Sequence, residues 1–219
     1  MHFTRFGIYY TPADQEFADA GASWLGWDIR TALARNAPCP DHVARPAKYG
    51  FHGTLKPPFR LKEGQTPAAL EVAVSNVAGA LSPAVCDGLT LTQLGGFLAL
   101  TPFGPLDELQ SIAGTCVRNL DGFRAPASEA ELARRRQARL STRQEALLAQ
   151  WGYPYVFEEF RFHLTLSSRL PEEDARAWKD ILQSQLPDLP ALFVVDQIAL
   201  CGERQDGCFE LIHRYTLTG

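Results

Sequence analysis

The sequence predicts an α+β fold of two similar halves, a bilobal pseudo-twofold arrangement in which two antiparallel sheets face a central cleft with helices outside. Three observations carry that prediction. The order strand, helix, strand, strand occurs over residues 51–101 and again over 162–217. A short string, Phe51-His52-Gly53-Thr54-Leu55, returns at the same place in the second block as Phe162-His163-Leu164-Thr165-Leu166. The composition, 46% hydrophobic and 21% charged over 219 residues, is that of an ordinary globular chain. We therefore expect one bilobal domain over residues 1–219, with a helical connection over about 105–150.

The elements follow from local pattern. Residues 3–10 alternate and are rich in β-formers, which predicts a strand. Thr11-Pro12 reads as a helix start, and Phe17, Ala20, Trp24, Trp27 and Leu33 mark the buried stripe of a helix over 13–35, with the two tryptophans as core anchors. The proline-rich stretch 36–46 reads as loop. A strand over 51–55, a helix over 67–81 and two strands over 89–94 and 97–101, turned by Gly95-Gly96, complete the first block. Helices over 106–119 and 128–150 follow, the second opened by Ser128 with Glu131 at the capping-box position. A strand over 160–168, a helix over 171–186 and strands over 192–200 and 209–217 repeat the first block.

Composition excludes several functions. No apolar run approaches the roughly 18 residues of a membrane-spanning helix, and the first residues lead into no signal-peptide core, so a cytoplasmic protein is expected. The net charge of −4, from 21 basic and 25 acidic residues, disfavours grip on long nucleic acid. Five cysteines, with no C-x-x-C pair, read as free thiols, although Cys201 and Cys208 bracket a turn across which they could meet. One stretch departs from the average: Arg45, Lys48, Lys56, Arg60 and Lys62 fall together without a carboxylate, which suits either an anion or a solvated basic loop.

Strand geometry gives the repeated string its chemistry. Side chains two apart share a face, so His52 and Thr54 point one way while Phe51 and Leu55 point the other, and His163 and Thr165 likewise oppose Phe162, Leu164 and Leu166. A twofold between the halves brings both His-Thr pairs to one cleft. Two imidazoles that titrate near neutrality can take a proton from a nucleophile and give one to a leaving group. Two hydroxyls can donate to the non-bridging oxygens of a phosphoryl group, and in-line displacement at phosphorus needs groups on opposite sides. Each histidine alone is more simply an ordinary strand histidine; the repeat reverses that. His2, His42 and His213 are scattered without metal-ligand spacing, and there is no P-loop, G-x-S-x-G or G-x-G-x-x-G, so neither metal nor cofactor is expected.

On these residues the chain is similar to the two-histidine (2H) phosphoesterase superfamily, whose members carry one H-x-T/S motif per lobe followed by an apolar residue. His52-Gly53-Thr54-Leu55 and His163-Leu164-Thr165-Leu166 fit both motifs. The strings Tyr49-Gly50-Phe51-His52-Gly53-Thr54-Leu55-Lys56-Pro57-Pro58-Phe59, Trp151-Gly152-Tyr153-Pro154-Tyr155-Val156 and Phe160-Arg161-Phe162-His163 resemble its bacterial phosphonate-metabolism branch, over nearly the whole chain. The small Gly53 and the Ser167-Ser168 pair after the second motif are departures. The resemblance implies the bilobal fold, metal-independent phosphodiester chemistry and a catalytic set of His52, Thr54, His163 and Thr165. It also implies a small phosphorylated ribose cyclic phosphate as substrate. RNA ends or nucleoside 2′,3′-cyclic phosphates are the alternative substrates, and a non-catalytic binder of a phosphorylated metabolite is the rival class.

Further contacts are expected from position. Lys56, at i+4 from His52, shares its face if the strand continues and would hold a second phosphate. Arg60 lies beyond two prolines, with its direction open. Ser167 is the lobe-two counterpart of Lys56, and Tyr155 either lines the cleft or packs as a loop aromatic. Arg134, Arg135, Arg136, Arg139 and Arg143 form either a solvated helix face or a clamp for a second phosphate.

Overall fold

The computed structural model describes residues 2–219. Strand β1 (Phe6–Tyr10) leads to helix α1 (Gln15–Leu25), which is half the predicted length. Asp14, not Thr11, caps it by accepting the Phe17 N–H at 2.8 Å. Gly26, at φ 80°, ends it in the left-handed conformation. A hairpin of β2 (Trp27–Asp28) and β3 (Leu33–Ala34) follows. The two tryptophans are core anchors as expected: the Trp24 and Trp27 indole N–H groups donate to the Leu166 and Phe209 carbonyls, each at 2.7 Å. The expected 36–46 loop contains helix α2 (Pro40–Ala47), because Pro40 occupies a first-turn position where no N–H is needed.

The first block then runs β4 (Gly53–Phe59), α3 (Pro67–Gly79), β5 (Ala84–Cys86), β6 (Gly88–Leu94) and β7 (Phe97–Phe103). Helix α4 (Asp107–Asn119) follows. The helix expected over 128–150 is two, α5 (Glu129–Arg136) and α6 (Thr142–Trp151). Each opens on its own capping box, Ser128 with Glu131 and Ser141 with Gln144, and Arg139 between them has a φ of 53°. The second block is β8 (Leu164–Thr165), α7 (Glu172–Gln185), β9 (Phe193–Val195), β10 (Gln197–Glu203) and β11 (Phe209–Thr216). The predicted strand over 160–168 thus shrinks to two paired residues, and that over 192–200 breaks at Asp196.

All strand pairings are antiparallel, and one sheet runs β11-β10-β1-β4-β8-β7-β6. It divides into two antiparallel half-sheets joined by a single paired position, Gly53 with Leu164. These are the middle residues of the two His-x-Thr motifs, so each motif pairs with its own counterpart, as a local twofold between them requires. The short strands β5 and β9, which precede the two hairpins, also pair with each other, with Val85 opposite Val194. The hairpins are exchanged between the halves. Strand β7 of the first block pairs with β8, while β10 of the second pairs with β1 beside β4. Apolar faces of both half-sheets meet in one continuous core that includes Phe51, Leu55, Leu100, Phe162, Leu164, Leu166 and Leu200. The seam beside the motifs is therefore held from both sides.

Candidate active site

The burial pattern follows the strand period: Phe51, Gly53 and Leu55 are buried while His52 and Thr54 are half-buried, and Leu164 and Leu166 are buried while His163 and Thr165 are half-buried. Because Gly53 faces Leu164 in an antiparallel pair, His52 lies across from Thr165 and Thr54 across from His163. The cleft shows the same crossing. One arm, of about 540 Å³, is lined by His52 and Thr165, and the other, of about 500 Å³, by Thr54 and His163. Leu94, Gly95, Phe97 and Tyr153 line both arms, making them one cleft.

Both imidazoles are held in the same tautomer by the same device. His52 Nδ1 lies 2.9 Å from the Gly50 carbonyl oxygen and His163 Nδ1 lies 2.7 Å from that of Arg161. A carbonyl only accepts, so Nδ1 carries the proton in each ring and Nε2 is left with a lone pair. His52 Nε2 accepts from the Thr54 hydroxyl at 3.1 Å. The His52 ring also packs at a tilt against Tyr9, with centroids 4.1 Å apart, and His163 leans on Phe97 at 5.5 Å. Tyr9 is fully buried with its hydroxyl unpartnered, so its contribution here is its ring face.

Burial lowers the pKa of His52 to about 4, opposed in part by the Gly50 carbonyl and assisted by charge on His163. Burial also lowers the pKa of His163. Both rings are therefore neutral at pH 7 in the free protein. Such a pair can accept a proton at once on one Nε2, and it can donate from the other once an anion in the cleft stabilises an imidazolium.

Four of the eight predicted site residues, His52, Thr54, His163 and Thr165, come together in this cleft, and Tyr155 lines its aromatic arm. Ser167 also lines it, but the residue is buried and its hydroxyl accepts the Leu98 N–H at 2.9 Å, which fixes β7 beside the motif. Lys56 is a correction. The pairing of β1 with β4 shifts register between Ile8–Lys56 and Tyr9–Thr54, inserting one extra residue. That bulge breaks the alternation, so Leu55 and Lys56 are both buried. The Lys56 ammonium, 2% exposed, donates to the Val117 carbonyl and to Asp121 and lines neither arm of the cleft. Arg60 is also displaced: it pairs with Glu131 and donates to the Pro126 carbonyl in a separate crevice with Arg124 and Arg134.

The basic helix divides in the same way. Arg136 and Arg143 form ion pairs with Glu145 and Glu158, as a solvated face would, whereas Arg135 lies over the Tyr153 ring at 4.4 Å and backs the cleft wall. Cys201 and Cys208 are free thiols, as are the other three. Sequence reasoning missed Tyr49, Phe97, Tyr153 and Arg161 as lining residues. Arg161, two residues before His163, carried a usable signal through the strand period; the aromatics reach the cleft through tertiary packing alone.

The family model of a protein of unknown function, DUF1045, matches residues 54–210. The chain belongs to the DUF1045 family. Two curated relatives of this DUF1045 member are named ribose 1,5-bisphosphate phosphokinase PhnN. That of Janthinobacterium sp. (strain Marseille) is 41% identical over 190 residues, 78% of this chain and 40% of that protein. That of Laribacter hongkongensis (strain HLHK9) is 35% identical over 183 residues, 80% and 42% respectively. The chain thus spans about two fifths of the length of these relatives. Among solved structures, E. coli LigT in apo form aligns over 100% of both chains at 16% identity with a TM-score of 0.49. TT0787 of Thermus thermophilus aligns over 98% of both at 13% identity, also at 0.49. No helix among the described residues is long and apolar enough to cross a membrane.

Proposed function

We propose that the chain is a phosphodiesterase that opens a small phosphorylated ribose cyclic phosphate by paired-histidine acid–base catalysis. The observation that carries this is the Gly53–Leu164 pairing, which sets each imidazole against the other motif's threonine within one cleft. His52 has the more strongly lowered pKa and serves as base: its Nε2 takes a proton from water as the water oxygen attacks phosphorus. His163 serves as acid. Its Nε2–H passes to the departing ribose oxygen as the ring P–O bond breaks, and solvent exchange then resets both rings. When substrate binds, the Thr54 O–H turns from His52 Nε2 to a non-bridging oxygen, which frees that lone pair for the water proton, and Thr165 donates to another, where charge builds.

The curated relatives' names support a phosphorylated ribose as the substrate class. This chain holds no P-loop, so the phosphorylating activity in those names is not assigned to it. A second reading, nucleoside 2′,3′-cyclic phosphates or RNA ends, is favoured by the aromatic arm, where Phe97, Tyr153, Tyr155 and Phe160 could stack a base. A turnover screen containing EDTA separates them: ribose cyclic phosphates, nucleoside cyclic phosphates and short RNAs with cyclic ends. We expect the ribose compounds to be hydrolysed fastest with chelator present. Strict loss of turnover with EDTA, restored by zinc or manganese, would contradict the side-chain mechanism.

The pKa directions fix the pH dependence. For the free protein, kcat/KM should rise through about pH 4 as His52 loses its proton and fall as His163 loses its own, below the ordinary histidine value of 6.5. Bound phosphate stabilises the imidazolium, so the falling limb of kcat should lie at higher pH than that of kcat/KM. Profiles of both constants from pH 3.5 to 8.5 check this, and coincident falling limbs would show that the substrate does not charge His163.

A further inference from the structure

The two arms of the cleft differ in charge. The arm beside His52 and Thr165 is lined by Arg45 and Arg169 and by no carboxylate. The other arm has Arg161 and Glu159 among aromatic rings. Neither Arg45 nor Arg169 has an ion-pair partner among the described residues, in contrast to Arg60, Arg136 and Arg143 elsewhere on the surface.

Their placement is built. Arg45 lies in the last turn of α2, and its backbone N–H donates to the Ser168 hydroxyl at 3.2 Å while the Ser168 N–H donates to the His42 carbonyl at 2.6 Å. These bonds clasp α2 to the segment that follows the second motif. Arg169 lies next in that segment, and its stem crosses Gly96 in the β6–β7 turn so closely that a Cβ there would sit 2.7 Å from the Arg169 Nε. The Leu170 N–H donates to the Gly96 carbonyl at 2.7 Å, holding the turn against the segment. A glycine at 96 is thus what lets the Arg169 side chain lie across the turn into the cleft.

We propose that Arg45 and Arg169 together bind a terminal phosphate monoester of the substrate, apart from the phosphodiester between His52 and His163. The proposal rests on the cyclic phosphodiesterase reading and gives it a specificity site. Guanidinium groups suit this task because they present several donors to phosphate oxygens and stay charged. The Gly95-Gly96 turn is the device that leaves room for one of them.

The test compares wild type with Arg45→Gln, Arg169→Gln and the double variant. It measures kcat/KM for a ribose cyclic phosphate that carries a terminal phosphate and for the same compound without it. Losing one charge-assisted contact should lower the ratio of the two constants about 10- to 100-fold, and the double variant should lower it further. A ratio unchanged in all three variants overturns the proposal. If wild type turns over neither compound, the phosphodiesterase reading fails separately, and calorimetry with ribose 5-phosphate decides. Binding by wild type that the double variant loses supports the arginine site, whereas no binding, or equal binding, overturns it. Gly96→Val provides an independent variant: displacing Arg169 should lower the same ratio with both arginines still present.

Discussion

His52→Ala and His163→Ala should each lower kcat/KM by about 10²- to 10⁴-fold, the range expected when one of two positioned proton carriers is removed. The double variant should be little worse than either, because the base and acid act in one displacement and each is of little use without the other. Both side chains are half-buried on the cleft face and lie outside the apolar clusters, so the fold should persist. His52 carries the larger structural risk, because its ring packs on Tyr9 and its Nδ1 binds the Gly50 carbonyl. His52→Asn addresses that risk, since the amide N–H can keep the carbonyl bond but supplies no basic nitrogen. It should be as inactive as the alanine variant while melting close to wild type. Full activity in any of these variants would remove the residue from the mechanism.

Gly53→Ala should destabilise the protein by about 1–3 kcal/mol, the usual cost of forcing a methyl into a filled core. The reason is local. A Cβ at Gly53 would project into the Phe162 ring, which is itself packed against Tyr10 and Phe193. Gly53 is also the one β4 position paired with β8, so any shift that relieves the clash widens the seam between the two half-sheets. For a chain of this length the melting temperature should fall by about 2–4 °C per kcal/mol. Activity should fall beyond the stability loss, because the histidines and threonines proposed as catalytic are the immediate neighbours of the displaced pair. Phe162→Leu added to Gly53→Ala should cost less than the sum of the two single changes, as expected for residues in contact. Strict additivity would show that the ring is not what keeps residue 53 a glycine.

The period-two pattern made His52, Thr54, His163 and Thr165 legible, because alternation along a half-buried strand is a local property of the chain. The same rule failed at Lys56, one bulge later, where an extra residue in β4 turned the ammonium toward Asp121. Bulges answer to the partner strand, here β1, and leave little trace in the bulged segment itself. Other differences had local signals that competing ones masked. Gly26 marked the end of α1 inside an otherwise helical pattern, and Ser141 with Gln144 formed a second capping box. Prolines in 36–46 suggested loop, although one of them stands where a helix begins. The pairing of Gly53 with Leu164 and the exchange of hairpins between halves were out of reach, since period and turn chemistry say nothing about which strands become neighbours.

The proposed mechanism makes the two motifs one acid–base device on a cyclic phosphodiester. Following hydrolysis by ³¹P NMR tests it most directly, using a ribose cyclic phosphate with a terminal phosphate, in EDTA, with wild type, His52→Asn and His163→Ala. Wild type should convert the five-membered cyclic phosphate signal into that of a monoester and leave the terminal phosphate signal in place, with each variant slower by about 10²-fold or more. Loss of the terminal phosphate instead, or equal rates in wild type and both variants, would contradict the mechanism.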